Sequence, residues 1–185
     1  MEIGNGMYYS LLAQRAVEDD DAFTELYEYF FPRVYNFVFS RLKNGAEADD
    51  VTSVTFQKMY ENLGRYDPGK AAFSTWLFRI ATNAITDRVR FRPRNKEAEW
   101  EDFFDPAGPD SEKPETRMLA SESKEELLLA IGKLSEREQR IIALKYWSGL
   151  GNKEIAEIMG LNYSNVGTIL SRALKVLRKD LEKGE

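Results

Sequence analysis

The chain has no cysteine and no histidine among its 185 residues. Disulfides, thiol nucleophiles, thiolate or imidazole metal sites and every catalytic scheme that needs an imidazole base are therefore excluded. No apolar run approaches the roughly 20 residues of a membrane span, so no membrane insertion is expected. The start, MEIGNGMYYS, lacks a basic region followed by an apolar stretch, and a cytoplasmic location is the expectation. Strand alternation and internal repeats are missing too. The length suits one ordinary domain or two small ones and rules out a single large catalytic barrel. What the chain does have is 43% hydrophobic, 31% charged and 12% aromatic residues. That balance marks a globular protein, with many aromatics for a chain so charged.

A net charge of -5 is unpromising for a nucleic-acid binder until it is divided along the chain. Residues 1–31 carry -6 and 32–64 are neutral, whereas 65–96 carry +6. Residues 97–126 carry -8 and 127–185 carry +3. The acidity is local, and two basic blocks flank an acidic one.

The stretch 95–126 reads as an acidic flexible linker, because it gathers Pro106, Gly108, Pro109 and Pro114 with many acids and shows no apolar period. It separates a unit spanning 1–94 from one spanning 127–185. Trp100, Phe103 and Phe104 form an aromatic cluster inside it, read as part of a partly ordered tether, the alternative being a docking point for a domain or partner. Both flanking units carry helical periods, so the expected fold is all-α, two small helical domains joined by the linker.

In the first unit a short helix begins near Leu11, and Asp19, Asp20 and Asp21 suit the start of the next. Pro32 fits either the first turn of a new helix or a kink. A third helix carries Val51, Thr55, Phe56 and Met59 to Gly64, and Tyr66-Asp67-Pro68-Gly69 is a turn. Ser74 is expected to cap a helix that buries Leu77, Ile80, Ala81, Ala84, Ile85 and Val89. In the second unit Ser135 and Glu138 form a capping box, Asn152 caps a short helix that Gly160 ends, and Asn162 caps a long last one. The stripe of that last helix is Val166, Leu170, Ala173, Leu174, Leu177 and Leu181.

Two constellations point to nucleic acid. The short helix, the Gly160-Leu161-Asn162 turn and the long helix match a helix-turn-helix, which sets the start of its second helix in the major groove. The residues facing DNA there are Tyr163, Ser164, Asn165, Gly167, Thr168, Ser171, Arg172 and Lys175, small polar groups and cations in a stretch with no acid. Gly167 costs its helix about 1 kcal/mol relative to Ala, which a close approach to DNA explains. The bland reading is a helical hairpin with a solvated face. The second constellation interleaves Tyr66, Phe73, Trp76, Phe78 and Phe91 with Arg65, Lys70, Arg79, Arg88, Arg90, Arg92 and Arg94. Aromatics beside cations suit a surface that stacks unpaired bases and tracks phosphates, and Asn83, one turn from Arg79, is placed to read a base edge. Taken singly, the aromatics are as well explained as core. Glu47, Asp49 and Asp50 favour a helix N-terminus rather than a metal, since no second carboxylate cluster completes a site. No cofactor and no small-molecule substrate are expected.

The runs AFTELYEYFFPRVYNFVFSRL, AEADDVTSVTFQKMYENLGRYDPGKAAFSTWLFRIATNAITDRVRFRPR and LSEREQRIIALKYWSGLGNKEIAEIMGLNYSNVGTILSRALKVLRKDL resemble an extracytoplasmic-function (ECF) sigma factor of bacterial RNA polymerase. The combination of FSTWLFRIATN with the C-terminal helix-turn-helix carries the resemblance. It implies a non-enzymatic initiation factor of the sigma-70 family. Its first domain (region 2) would hold the clamp helices of core RNA polymerase and the melted minus-ten strand. Its second (region 4) would hold the flap and read the duplex minus-thirty-five element of promoter DNA. By motif position Asp49, Asp50, Phe56 and Lys58 fall in the polymerase-binding helix. Tyr66, Lys70, Trp76, Arg79, Asn83, Arg88 and Arg90 fall on the minus-ten side, with Asn83 near the pocket for an extruded base. Ser53-Val54 stand where many members have Gln-Glu, and Gly167 and Ile169 stand where the last helix is often basic. The resemblance also implies an anti-sigma partner. Two other readings are a stand-alone helix-turn-helix regulator, which leaves the first unit without a role, and a metal-dependent nuclease resting on the acidic triplet alone.

Overall fold

The structure is a computed structural model that describes residues 3–91 and 126–182, and among these every regular element is helical. The all-α expectation in two halves is met. The first half holds α1 (Ile3–Arg15), α2 (Asp20–Leu42), α3 (Gly45–Asn62), a 3-10 turn (Leu63–Arg65) and α4 (Phe73–Phe91). The second holds α5 (126–132), α6 (Glu136–Ile142) running into a π-helical turn (Ala143–Trp147), α7 (Asn152–Met159) and α8 (Tyr163–Leu181). Trp100, Phe103, Phe104, Arg92 and Arg94 lie outside the described residues.

Local signals account for most helix ends. Asp19 caps α2 by accepting the backbone N–H groups of Asp21 and Ala22, and Asn44 caps α3 through Glu47 N–H. The Ser135–Glu138 capping box is formed at α6, and Gly160 ends α7 at φ +64°. Four expectations need correction. α1 starts at Ile3, well before Leu11, because Tyr9 anchors the turns ahead of Leu11 to α2, stacked on Tyr29 at 4.1 Å and edge to face with Phe30 at 5.1 Å. Pro32 neither starts a helix nor ends one: α2 runs through it. One residue on, Arg33 Nη1 donates to the Tyr29 carbonyl at 2.6 Å while its guanidinium lies 3.7 Å over the Tyr29 ring. Ser74 and Asn152 are not caps but lie in the first turns of α4 and α7, the latter capped from Gly151 by the Glu154 side chain. Val89 and Leu174, expected in the core, are 53% and 41% exposed, because each helix turns that edge away from its neighbours.

The core of the first half is aromatic: Phe30, Phe37, Phe73 and Phe78 are buried and meet edge to face, with ring centroids 5.2 Å (Phe30–Phe73) and 5.5 Å (Phe37–Phe78) apart. The core of the second is aliphatic, built on Ile141, Leu144, Ile155, Val166 and Ala173. Among the described residues the halves meet at two main joints. α7 packs along α4, where Ser74 donates to a carboxylate oxygen of Glu154 and Arg79 donates to the Glu157 carbonyl at 3.2 Å. The π-helical turn packs on the end of α2, with Phe39 and Trp147 lining one small cavity.

Candidate nucleic-acid interface

α8 stands on α6 and α7 through Val166, Leu170, Ala173 and Leu177, which leaves the opposite side of the helix free. That side opens into a groove of about 580 Å³ lined by Tyr163, Ser164, Gly167, Thr168, Ser171, Arg172 and Lys175. These are seven of the eight residues expected to face duplex DNA. Asn165 is exposed but lies off the groove. A Cβ at Gly167 would meet only Asn152 Nδ2 at 3.9 Å, an ordinary contact, so packing inside the protein does not require the glycine. Its helix cost is without an intramolecular return, as expected where a ligand comes close. Asn152, the first residue of α7, completes the groove, and its Oδ1 is buried without a hydrogen-bond partner. Sequence reasoning assigned Asn152 to capping. Only the fold sets it beside Gly167.

A second groove, about 270 Å³, runs between α3 and α4 and is lined by Lys58, Asn62, Arg65, Trp76, Ile80 and Asn83. Trp76 is half-buried, braced by Tyr66 at 5.2 Å and Phe73 at 5.7 Å, so its ring is held as part of the groove wall. Asn83 is exposed on the next turns of the same face. The arrangement can hold a flat polar ring: an indole to stack on, a side-chain amide to hydrogen-bond, and Lys58 and Arg65 to balance a phosphate. Asn62 is new. Its Nδ2 donates to the Lys58 carbonyl at 2.8 Å, a helix-end contact with no distinctive sequence signature.

The remaining expected residues divide. Tyr66 anchors the loop before α4: its hydroxyl lies 2.9 Å from Ser10 Oγ and 3.0 Å from the Ala71 carbonyl, and burial raises its pKa above the ordinary tyrosine value. Lys70 is exposed and pairs with Asp67 at 3.5 Å. Arg79 turns toward α7 rather than into the groove. Arg88 lies 3.4 Å from Glu47, and Arg90 is exposed. In α3, Asp49 and Asp50 are exposed. Phe56 is 6% exposed and packs against Tyr27 and Phe31 at 4.9 and 5.6 Å. Lys58 lies in the α3–α4 groove beside Trp76 and Asn83. Among the described residues no cluster of three or more acidic side chains is placed to hold a metal ion, and no helix is long and apolar enough to cross a membrane.

Each half matches a family model. Residues 26–95 match Sigma-70 region 2 and residues 124–177 match Sigma-70 region 4. Over 170 residues the chain is 30% identical to the ECF RNA polymerase sigma factor SigW of Bacillus subtilis, covering 88% of this chain and 90% of that one. Against BldN of Streptomyces coelicolor the identity is 30% over 169 residues, covering 91% of this chain and 64% of the relative. The fold is similar to that of CnrH, solved with the cytosolic domain of CnrY, at a TM-score of 0.68 and 24% identity, covering 95% and 98% of the two chains. It is also similar to RpoE of Bartonella quintana, solved with the anti-sigma factor NepR, at 0.64 and 20%, covering 86% and 96%. The chain belongs to the ECF sigma factors of the sigma-70 family.

Proposed function

We propose that this chain is a transcription initiation factor that acts by binding alone, recruiting core RNA polymerase to promoters from the cytoplasm. The domain of residues 1–94 takes the polymerase clamp helices and the melted minus-ten strand. The domain of 127–185 takes the flap and the duplex minus-thirty-five element, and the acidic segment 95–126 joins them. The observation that carries this reading is the pair of unlike grooves, a polar cationic one on a projecting helix and an aromatic-walled one between two helices. The first suits base edges and phosphates of an intact duplex, the second an unstacked base. In the second, Trp76 supplies the stacking surface and Asn83 the hydrogen bond. Arg79, Arg88 and Arg90 supply positive charge along the rest of α4. Asp49, Asp50, Phe56 and Lys58 on α3 serve the polymerase contact, and Lys58 also borders the strand groove. An anti-sigma partner that masks the polymerase-binding surface regulates the protein, a reading supported by the relatives solved with such partners.

Reconstituted transcription with a bacterial core polymerase tests this. The expected result is initiation from a specific promoter that depends on the added chain, and association with core in a pull-down. Tight sequence-specific duplex binding with neither of these would instead identify a stand-alone regulator.

A further inference from the structure

Every other residue lining the α8 groove belongs to α8, but Asn152 is the first residue of α7. It has no capping role, since the Glu154 carboxylate takes the Gly151 N–H at 2.8 Å. Its side chain is half-buried, its Oδ1 is fully buried, and no described residue donates to that oxygen. A buried acceptor left bare lowers stability, and folded proteins keep few of them. Beside it stands Gly167, where a Cβ would lie 3.9 Å from Asn152 Nδ2. A glycine inside a helix also lowers stability, and packing among the described residues does not require this one. Two unfavourable features without an internal explanation therefore lie side by side in the groove that faces duplex DNA.

One event offsets both. The missing side chain lets a ligand come close at Gly167, and a ligand there meets the Asn152 amide. What the amide lacks decides the chemistry of that ligand. A phosphate only accepts hydrogen bonds and leaves Oδ1 bare. The donors of the major groove are the exocyclic amines of adenine and cytosine. Adenine sets an acceptor, N7, next to its amine, and an asparagine amide offers the matching acceptor and donor. We propose that Asn152 is a specificity residue: its amide turns toward the groove past Gly167 and pairs with an adenine of the duplex, Oδ1 accepting from N6 and Nδ2 donating to N7. The turn breaks no hydrogen bond at Oδ1. Arg172 and Lys175 in the same groove already supply charge, so the neutral amide adds selection rather than attraction. The inference deepens the minus-thirty-five reading above and rests on it.

Duplexes of random sequence retained by the full chain, alone and on core RNA polymerase, test the assignment when sequenced. The wild-type chain should enrich a motif with an adenine whose enrichment disappears in Asn152→Ala, while the other positions keep theirs. On the enriched duplex Asn152→Ala should bind roughly 5- to 100-fold more weakly. Its salt slope should not change, because no charge is lost. Its melting temperature should match that of the wild type, since Oδ1 holds nothing inside the protein. Asn152→Asp, similar in size but only an acceptor, should move the preference at that position from adenine to cytosine. Gly167→Leu fills the gap without adding charge and should lose the same preference, and adding Asn152→Ala to it should cost no further affinity. A loss spread evenly over all positions, or no loss at all, refutes the assignment. So does an undiminished effect of Asn152→Ala in the Gly167→Leu background. Failure of the wild-type chain to enrich any duplex, alone or on core, refutes the minus-thirty-five reading instead.

Discussion

α4 and α8 are the same length, 19 residues each, and are mounted in opposite ways. α4 is embedded against α1, α2 and α3 and buries seven side chains, two of them phenylalanines. α8 rests on α6 and α7 and buries four, none aromatic. An embedded helix has only a narrow free strip, and its groove has to be completed by the neighbouring α3. A projecting helix offers half its circumference and can enter a groove in the ligand. The first mounting suits catching a base that has left its stack; the second suits reading bases that remain in theirs.

The contrast can be attacked first through the cores. Phe78→Ala, at a fully buried ring, should destabilise the first half by about 3–5 kcal/mol and leave the second nearly intact. Ile155→Ala should do the converse at about 2–5 kcal/mol. Denaturant melts followed at Trp76 and Trp147, one in each half, separate the two; identical shifts at both would show one cooperative unit.

Next come the grooves. Arg172→Ala should weaken duplex binding by about 1–3 kcal/mol and lower the salt slope by about one, with little change in strand opening. Asn83→Ala should reduce permanganate reactivity of the melted strand and spare duplex affinity. Equal losses in both assays for both variants would erase the division of labour.

Smaller still, Gly160→Ala places a side chain at φ +64° and should cost the second half about 1–2 kcal/mol, read as a lower melting temperature at Trp147 with no change at Trp76. Least of all is the effect of acid on the start of α2. Asp19 is held below the ordinary carboxylate pKa, first by the Ala22 N–H and then by Arg15. Its folded pKa lies under its unfolded one, so its contribution is present above the ordinary carboxylate range and fades as pH falls through the depressed value. Asp19→Asn should remove that pH dependence from the amide signals of Asp21 and Ala22.

Much of this was legible in the chain because it rests on short-range chemistry. The Ser135 capping box, the Gly160 stop and the polar face of α8 each depend on residues within a few positions of one another, and each was readable. What escaped depends on distant partners. Ser74 has the composition of a cap, yet its hydroxyl goes to a carboxylate 80 positions away. Pro32 suits a helix start, yet α2 runs through it with Phe30 and Val34 on either side buried in the core. Asn62 and Lys58 join the strand groove because α3 and α4 cross where they do.

The π-helical turn at Ala143–Trp147 works as a phase shift. Ser148 N–H reaches back five residues to the Ala143 carbonyl at 3.2 Å, which fits one more residue into that turn than an α-helix takes. One residue is about 100° of rotation. Trp147 lines a small cavity with Phe39 of the other half in this phase, and a one-residue deletion in the turn would rotate all that follows by that angle, the buried Leu150 included. How the two halves address each other is therefore set by a count of residues, in a turn whose Leu144 also belongs to the second core.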